Sequence, residues 1–187
     1  MTGPQYLDVT ALPVAANREN DAMPSHRDDG PDALDALRRA GVEFQVHHHP
    51  PARCADELHL TGLDMAMSAK TLAFRLRDGR IALAAIPGLG RLRYPKLAAA
   101  LGVARSALTP AIADDLAELG MAPGGVAPFT VAPHAVLVIE RSVLALPVLY
   151  CGGGSSEISI ELSPADLLRA MPTAILADLC ADELLPD

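Results

Sequence analysis

The stretch KTLAFRLRDGRIALAAIP, residues 70–87, decides the fold. Leu72, Phe74 and Leu76 alternate with Thr71, Ala73 and Arg75, the period of two that marks a strand. Lys70 falls on the apolar parity of that strand. Asp78-Gly79 is a strong hairpin turn, and Arg80 to Ile86 returns as the second strand. The returning strand is apolar throughout, which suits a strand covered on both faces.

Upstream, the pattern predicts a helix from Pro31 to Gly41 with Leu34 and Leu37 on one face. Val42, Phe44 and Val46 then alternate with polar residues as a strand, and Pro50-Pro51 breaks it after His47, His48 and His49. Residues 52–61 fit a short helix ending at Gly62. Downstream, Pro95 opens a helix closed by Gly102, and Thr109 as N-cap with Pro110 behind it predicts another, running to Gly120. Residues 121–128 cannot be regular. Ala135 to Glu140 and Val148 to Cys151 read as strands, and Glu157 to Leu162 alternates with Ile158, Ile160 and Leu162 on one side. Ser163-Pro164-Ala165-Asp166 starts a helix to about Ala170, and residues 173–179 supply a closing strand. Strands come in hairpins as well as singly. The expected class is therefore mixed α/β (α+β): a mixed, partly open, barrel-like sheet flanked by helices, not a doubly wound parallel sheet.

The chain has 187 residues, 50% hydrophobic and 20% charged, which excludes wholesale disorder and suits one domain. We place that domain at 31–180, with residues 1–30 as a flexible extension and 181–187 as a tail. There is no uninterrupted apolar run of spanning length and no secretory pattern at the N-terminus, so a cytoplasmic protein is expected. Cys54, Cys151 and Cys180 form no CxxC pair and read as small packed residues.

The net charge of −8 hides an asymmetry. Residues 1–30 carry −3 and residues 171–187 carry −4, whereas residues 70–105 hold eight bases against the single acid Asp78. Such a band is either a phosphate footprint or a solvated arginine-rich hairpin. Arg75, Arg77 and Arg80 are its candidates for contact with nucleic acid. Thirteen of the fifteen bases are Arg, so Lys70 and Lys96 stand out.

Lys70 is the sharpest single candidate, because a lysine on an apolar parity costs free energy unless its ammonium reaches water or an anion. The glycines of Gly124-Gly125-Val126-Ala127-Pro128 and of Gly152-Gly153-Gly154 allow close approach of backbone to a ligand. No helix follows the second run, so it is not a phosphate-binding loop of the nucleotide-binding kind. The histidine run does not chelate as a set, since neighbours on a strand face opposite ways, and neither a metal spacing nor a G-x-S-x-G elbow is present.

Taken together, VHHHPP at 46–51, SAKTLAFRL at 68–76, IALAAIPG at 81–88, LRYPKLAAALG at 92–102, PGGVAPF at 123–129 and YCGGGSSEISIELSPADLLR at 150–169 resemble the YbaK / prolyl-tRNA-synthetase-associated editing domain family. Order and spacing match over about residues 31–180. The resemblance implies trans-editing: hydrolysis of the ester between a wrong amino acid, such as Cys or Ala, and the 3′ end of a tRNA, often that for proline. It implies no cofactor and no metal. The partners it implies are the acceptor end of aminoacyl-tRNA and prolyl-tRNA synthetase. The family's catalytic lysine falls on Lys70. Its G-x-x-x-P loop falls on Gly124, Gly125, Val126, Ala127 and Pro128, and its glycine turn on Gly152, Gly153 and Gly154. One of His47, His48 and His49 lies at the pocket edge. Ser159 stands where some members carry Asp, Ser155-Ser156 where some carry a basic pair, and Arg93 where an acid is frequent. These departures bear on which amino acid is removed. The alternative is a non-catalytic relative that binds tRNA or a synthetase, or else an unrelated small-ligand domain. A retained Lys70 is unexpected in a dead copy.

Overall fold

The computed structural model describes residues 32–52 and 55–180. The expected N-terminal extension, the helix start at Pro31, Cys54 and the tail from 181 lie outside the described residues.

Among the described residues eight strands form two sheets. Strands β1 (Gln45–His48), β7 (Ile158–Leu162) and β6 (Leu149–Gly152) make a three-stranded antiparallel sheet in that order. The larger sheet runs β4 (Leu108–Pro110), β2 (Ala69–Leu76), β3 (Ile81–Pro87), β5 (Ala135–Glu140), β8 (Ile175–Ala177). Its β2–β3 and β2–β4 pairs are antiparallel, and β3–β5 and β5–β8 are parallel. A single parallel bridge, Ser68 to Tyr150, joins the two sheets, and neither closes on itself. This is the mixed, open arrangement expected from the sequence.

The hairpin read from residues 70–87 is its centre. Gly79 takes the left-handed φ of +88° that the turn requires, and Arg75 pairs with Ile81 across it. Every residue from Ile81 to Ile86 is fully buried. Ile81, Leu83 and Ala85 face one core with Leu37, Phe129 and Ile139; Ala82, Ala84 and Ile86 face another with Phe74, Leu97 and Leu179. Helices therefore cover both faces, as a strand without polar alternation demands.

Helix α1 (Asp35–Ala40) ends at Gly41 with φ +61°, α2 (Tyr94–Leu101) ends at Gly102 with φ +67°, and α4 (Pro164–Ala170) starts under Ser163, whose hydroxyl accepts the Asp166 N–H at 3.0 Å. One expectation fails. Thr109 and Pro110 do not cap a helix; they belong to β4, opposite Arg75 and Phe74. Proline is tolerated there because β4 is an edge strand with no N–H demanded on its outer side. Helix α3 (Ala113–Ala117) begins later, with the Asp115 carboxylate accepting the Ile112 N–H at 2.9 Å. On the edge strand β1, Val46 is 41% exposed.

Glu140 fastens the C-terminal end of the fold. Its carboxylate, 7% exposed, accepts the N–H groups of Leu179 at 2.5 Å and Cys180 at 2.8 Å. Burial pushes its pKa up, but these bonds and one from Ser142 outweigh burial and hold it below the ordinary carboxylate value.

Candidate active site

Strand β4 pairs with β2 only from Phe74 to Leu76, so the first half of β2 has no ladder partner on that side among the described residues. That stretch forms one wall of a cavity of about 400 Å³. The opposite wall is the smaller sheet, through Tyr150, Cys151, Gly152 and Ser159, and Gly124 and Val126 close a third side. The site thus sits where the two sheets meet. No Asp or Glu among the described residues lines it.

Lys70 lines the cavity and forms no ion pair among the described residues. Thr71, a buried residue, lines it from the adjacent position; its hydroxyl oxygen is itself buried and has no hydrogen-bond partner among the described residues. The sequence reading passed over Thr71 because it faces away from Lys70 on the strand. A strand edge, however, shows both parities to a cavity that lies alongside it.

The glycine residues divide into two roles. Gly124, Val126 and Gly152 line the cavity, whereas Gly125, Ala127, Pro128, Gly153 and Gly154 do not. The two glycine segments dock on one another by backbone: the Gly154 N–H donates to the Gly125 carbonyl at 2.7 Å and the Ala122 N–H to the Gly154 carbonyl at 2.8 Å. A Cβ on Gly125 would fall 2.2 Å from the Ser155 carbonyl carbon, and one on Gly152 would fall 2.6 Å from the Val126 carbonyl oxygen. Contact between these two backbone segments, more than turn geometry, explains why glycine stands at Gly125 and Gly152. The Gly154 amide is spent on this packing and those of Gly125 and Gly153 on the Ala122 and Ile158 carbonyls of their own segments, while among the described residues those of Gly124 and Val126 form no backbone bond.

The three histidines part company. His47 Nε2 lies 2.8 Å from Glu161 on β7 and its ring meets Tyr150 edge-on. His48 is exposed. His49 lines the cavity, with Nε2 3.0 Å from the Ser159 hydroxyl and Nδ1 2.8 Å from the Pro50 carbonyl. Among the described residues, no group of three or more His, Cys, Asp or Glu side chains could hold a metal ion. Burial pushes the Cys151 thiol far above its ordinary pKa. It pushes Cys180 up as well, with the Glu140 carboxylate adding to the effect.

The three arginines lie apart from the cavity lining. Arg75 donates to Asp115 at 2.6 Å and to Glu118 at 2.5 Å, and Arg80 pairs with Asp78 at 2.7 Å. Arg77 is exposed and forms no ion pair among the described residues.

Comparisons agree with this architecture. A solved structure of the hypothetical protein APE2540 superposes with a TM-score of 0.67 and 28% identity, over 79% of this chain and 97% of that one. A solved structure of a proposed trans-editing enzyme for prolyl tRNA synthetase gives 0.67 and 27%, over 80% of this chain and 94% of that one. YwhH, an uncharacterized protein of Bacillus subtilis (strain 168), is 26% identical over 141 residues, covering 75% of this chain and 87% of its own. No described helix is long and apolar enough to cross a membrane. The aminoacyl-tRNA editing domain matches residues 48–170, which take in strands β2 to β7 and the cavity lining, and the chain belongs to that family.

Proposed function

We propose that this chain is a trans-acting deacylase that hydrolyses the ester joining a wrong small amino acid, such as Cys or Ala, to tRNA for proline. The observation that carries the reading is the cavity between the sheets, lined by Lys70, Thr71, Gly124 and Val126; among the described residues the lysine forms no ion pair and the two loop amides form no backbone bond. Family membership and the proposed trans-editing relative support it. A volume of about 400 Å³ lies in the range of small-ligand sites and suits a small aminoacyl group at the end of a nucleotide.

In this reading water adds to the ester carbonyl, the charge moves to the carbonyl oxygen, and collapse expels the ribose 3′ oxygen with a proton. Lys70 faces the developing oxyanion or the terminal phosphate, and the Gly124 and Val126 amides are available as further donors. Val126 and Gly152 form the floor, with Gly125, Ala127, Pro128, Gly153 and Gly154 holding the two loops together beneath it. The neighbouring ribose hydroxyl assists the attack. Residues of the protein suffice for such a step, without a covalent nucleophile.

The acceptor stem would meet the basic band from 70 to 105, with Arg77 the most available of the three arginines. Prolyl-tRNA synthetase, whose charging errors would be removed, is the natural partner, and the cytoplasm the natural compartment. The test is a panel of misacylated tRNAs under single-turnover conditions, with wild type beside Lys70→Ala. Loss of label from a mischarged tRNA for proline, abolished in the variant, supports the reading. Release from no member of the panel overturns it.

A further inference from the structure

With a neutral His49 ring, the hydrogen-bond chain Pro50–His49–Ser159 sets the polarity of one cavity hydroxyl. A carbonyl only accepts, so the contact of 2.8 Å to Pro50 requires the proton of a neutral His49 ring on Nδ1. Nε2 is then a bare acceptor, and the contact of 3.0 Å is the Ser159 O–H donating to it. The Ser159 oxygen is left with lone pairs alone for whatever enters the cavity.

The other hydroxyls on β2 and its lead-in differ. Ser68 also gives its proton away, to the Met65 carbonyl at 2.8 Å, but its oxygen is roofed by Gly88, where a Cβ would come within 2.1 Å of it. The Thr71 hydroxyl is buried and has no partner among the described residues. Ser159 lies on the smaller sheet and Lys70 on the larger one. An aminoacyl ester has matching chemistry: a carbonyl that needs donors, and next to it an α-amino group, cationic when protonated, that needs acceptors. With no carboxylate among the described lining residues, a hydroxyl locked as an acceptor is the group suited to the amine.

We propose that Ser159, held by His49, is the recognition site for the substrate's α-amino group, while Lys70 and Thr71 face the ester end. This rests on the deacylase reading and adds a polarity to it: the free amine is a requirement, and His49 is a positioning residue that acts through Ser159.

The test compares alanyl-tRNA for proline with lactyl-tRNA, in which a hydroxyl replaces the amine at nearly the same size. Both are assayed with full-length wild type, Ser159→Ala, Ser159→Asp and His49→Phe, each verified as folded by circular dichroism. A hydrogen bond to a charged group predicts that Ser159→Ala lowers kcat/KM for the alanyl ester by about tenfold or more. The lactyl ester should stay within about twofold. Ser159→Asp, again an acceptor, should restore the preference, and His49→Phe, which frees the serine proton, should lose it. Equal losses on both esters in Ser159→Ala, or an unchanged ratio between them, overturn the proposal while leaving deacylation intact. Cleavage of neither ester by wild type, with cysteinyl-tRNA for proline also uncleaved, would instead be a failure of the deacylase reading.

Discussion

The two halves of β2 carry the same kinds of residue and end in different states. From Lys70 to Leu72 the strand lacks a ladder partner beside the cavity, and among the described residues Lys70 forms no ion pair and the Thr71 hydroxyl has no partner. From Phe74 onward β4 completes the ladder, and Arg75 is tied to Asp115 and Glu118. Satisfied polar groups build a fold; unsatisfied ones beside a cavity are available to a ligand. The contrast teaches that a positive charge in this sequence means little until its partners are known.

The sharpest way to break the contrast is to empty its polar end. Lys70→Ala should reduce single-turnover deacylation by at least about 100-fold, the scale for removing one donor to an oxyanion, and leave the melting temperature nearly unchanged. Lys70→Arg should also fail, because a planar fork does not replace a compact ammonium. Full activity in either variant would show that the open half of β2 is not the reactive wall.

Next in size is the loop contact that closes the cavity. Gly125→Ala should destabilise the fold by about 1–3 kcal/mol, as overpacking does, because the new methyl group meets the Ser155 backbone, which cannot swing aside. Thermal unfolding measures it, and an unchanged midpoint would mean that the two glycine segments are looser than described.

On β5, beside the β8 edge of the larger sheet, Glu140→Gln should cost about 1–3 kcal/mol by leaving buried N–H groups poorly paired. The sign with pH follows from the direction of its shift. A carboxyl held below its ordinary value in the fold contributes stability above that ordinary value. The contribution fades as pH falls through the lower folded value. Stability curves of wild type and variant should therefore converge in acid, and parallel curves would count against the assignment.

The arginines sharpen the contrast most gently. Arg77→Ala should weaken tRNA binding by a few-fold, equally across tRNA sequences and less at high salt. Arg75→Ala should instead lower the melting temperature while changing binding little, and Arg80→Ala should fall between them. A filter-binding titration at two salt concentrations separates the three. Equal losses for all three would mean that ion pairing within the hairpin does not keep Arg75 from the nucleic acid.

How much of this was legible in the sequence depends on whether the signal was local. The hairpin at 70–87, the buried strand at 135–140 and the capped helix after Ser163 were readable, because a period of two, a turn dipeptide and a cap residue are local features. Thr109-Pro110 was misread as a cap because both residues suit a helix start, and only the need of Phe74 and Arg75 for a strand partner decides otherwise. At the site, Lys70 and the glycine segments were visible as residue types out of place. Sequence could not choose among His47, His48 and His49, since the choice depends on Ser159, 110 residues further along. Thr71 was hidden by parity, and the neutralisation of Arg75 by Asp115 spans forty residues.

The central claim is that the cavity between the sheets is where a mischarged tRNA loses its amino acid. The most direct measurement follows label from alanyl- and cysteinyl-tRNA for proline in a single turnover, with excess wild-type or Lys70→Ala protein, each verified as folded. The account predicts rapid release by wild type from at least one of the two, and release at the spontaneous rate by the variant. Equal release by both proteins would contradict it.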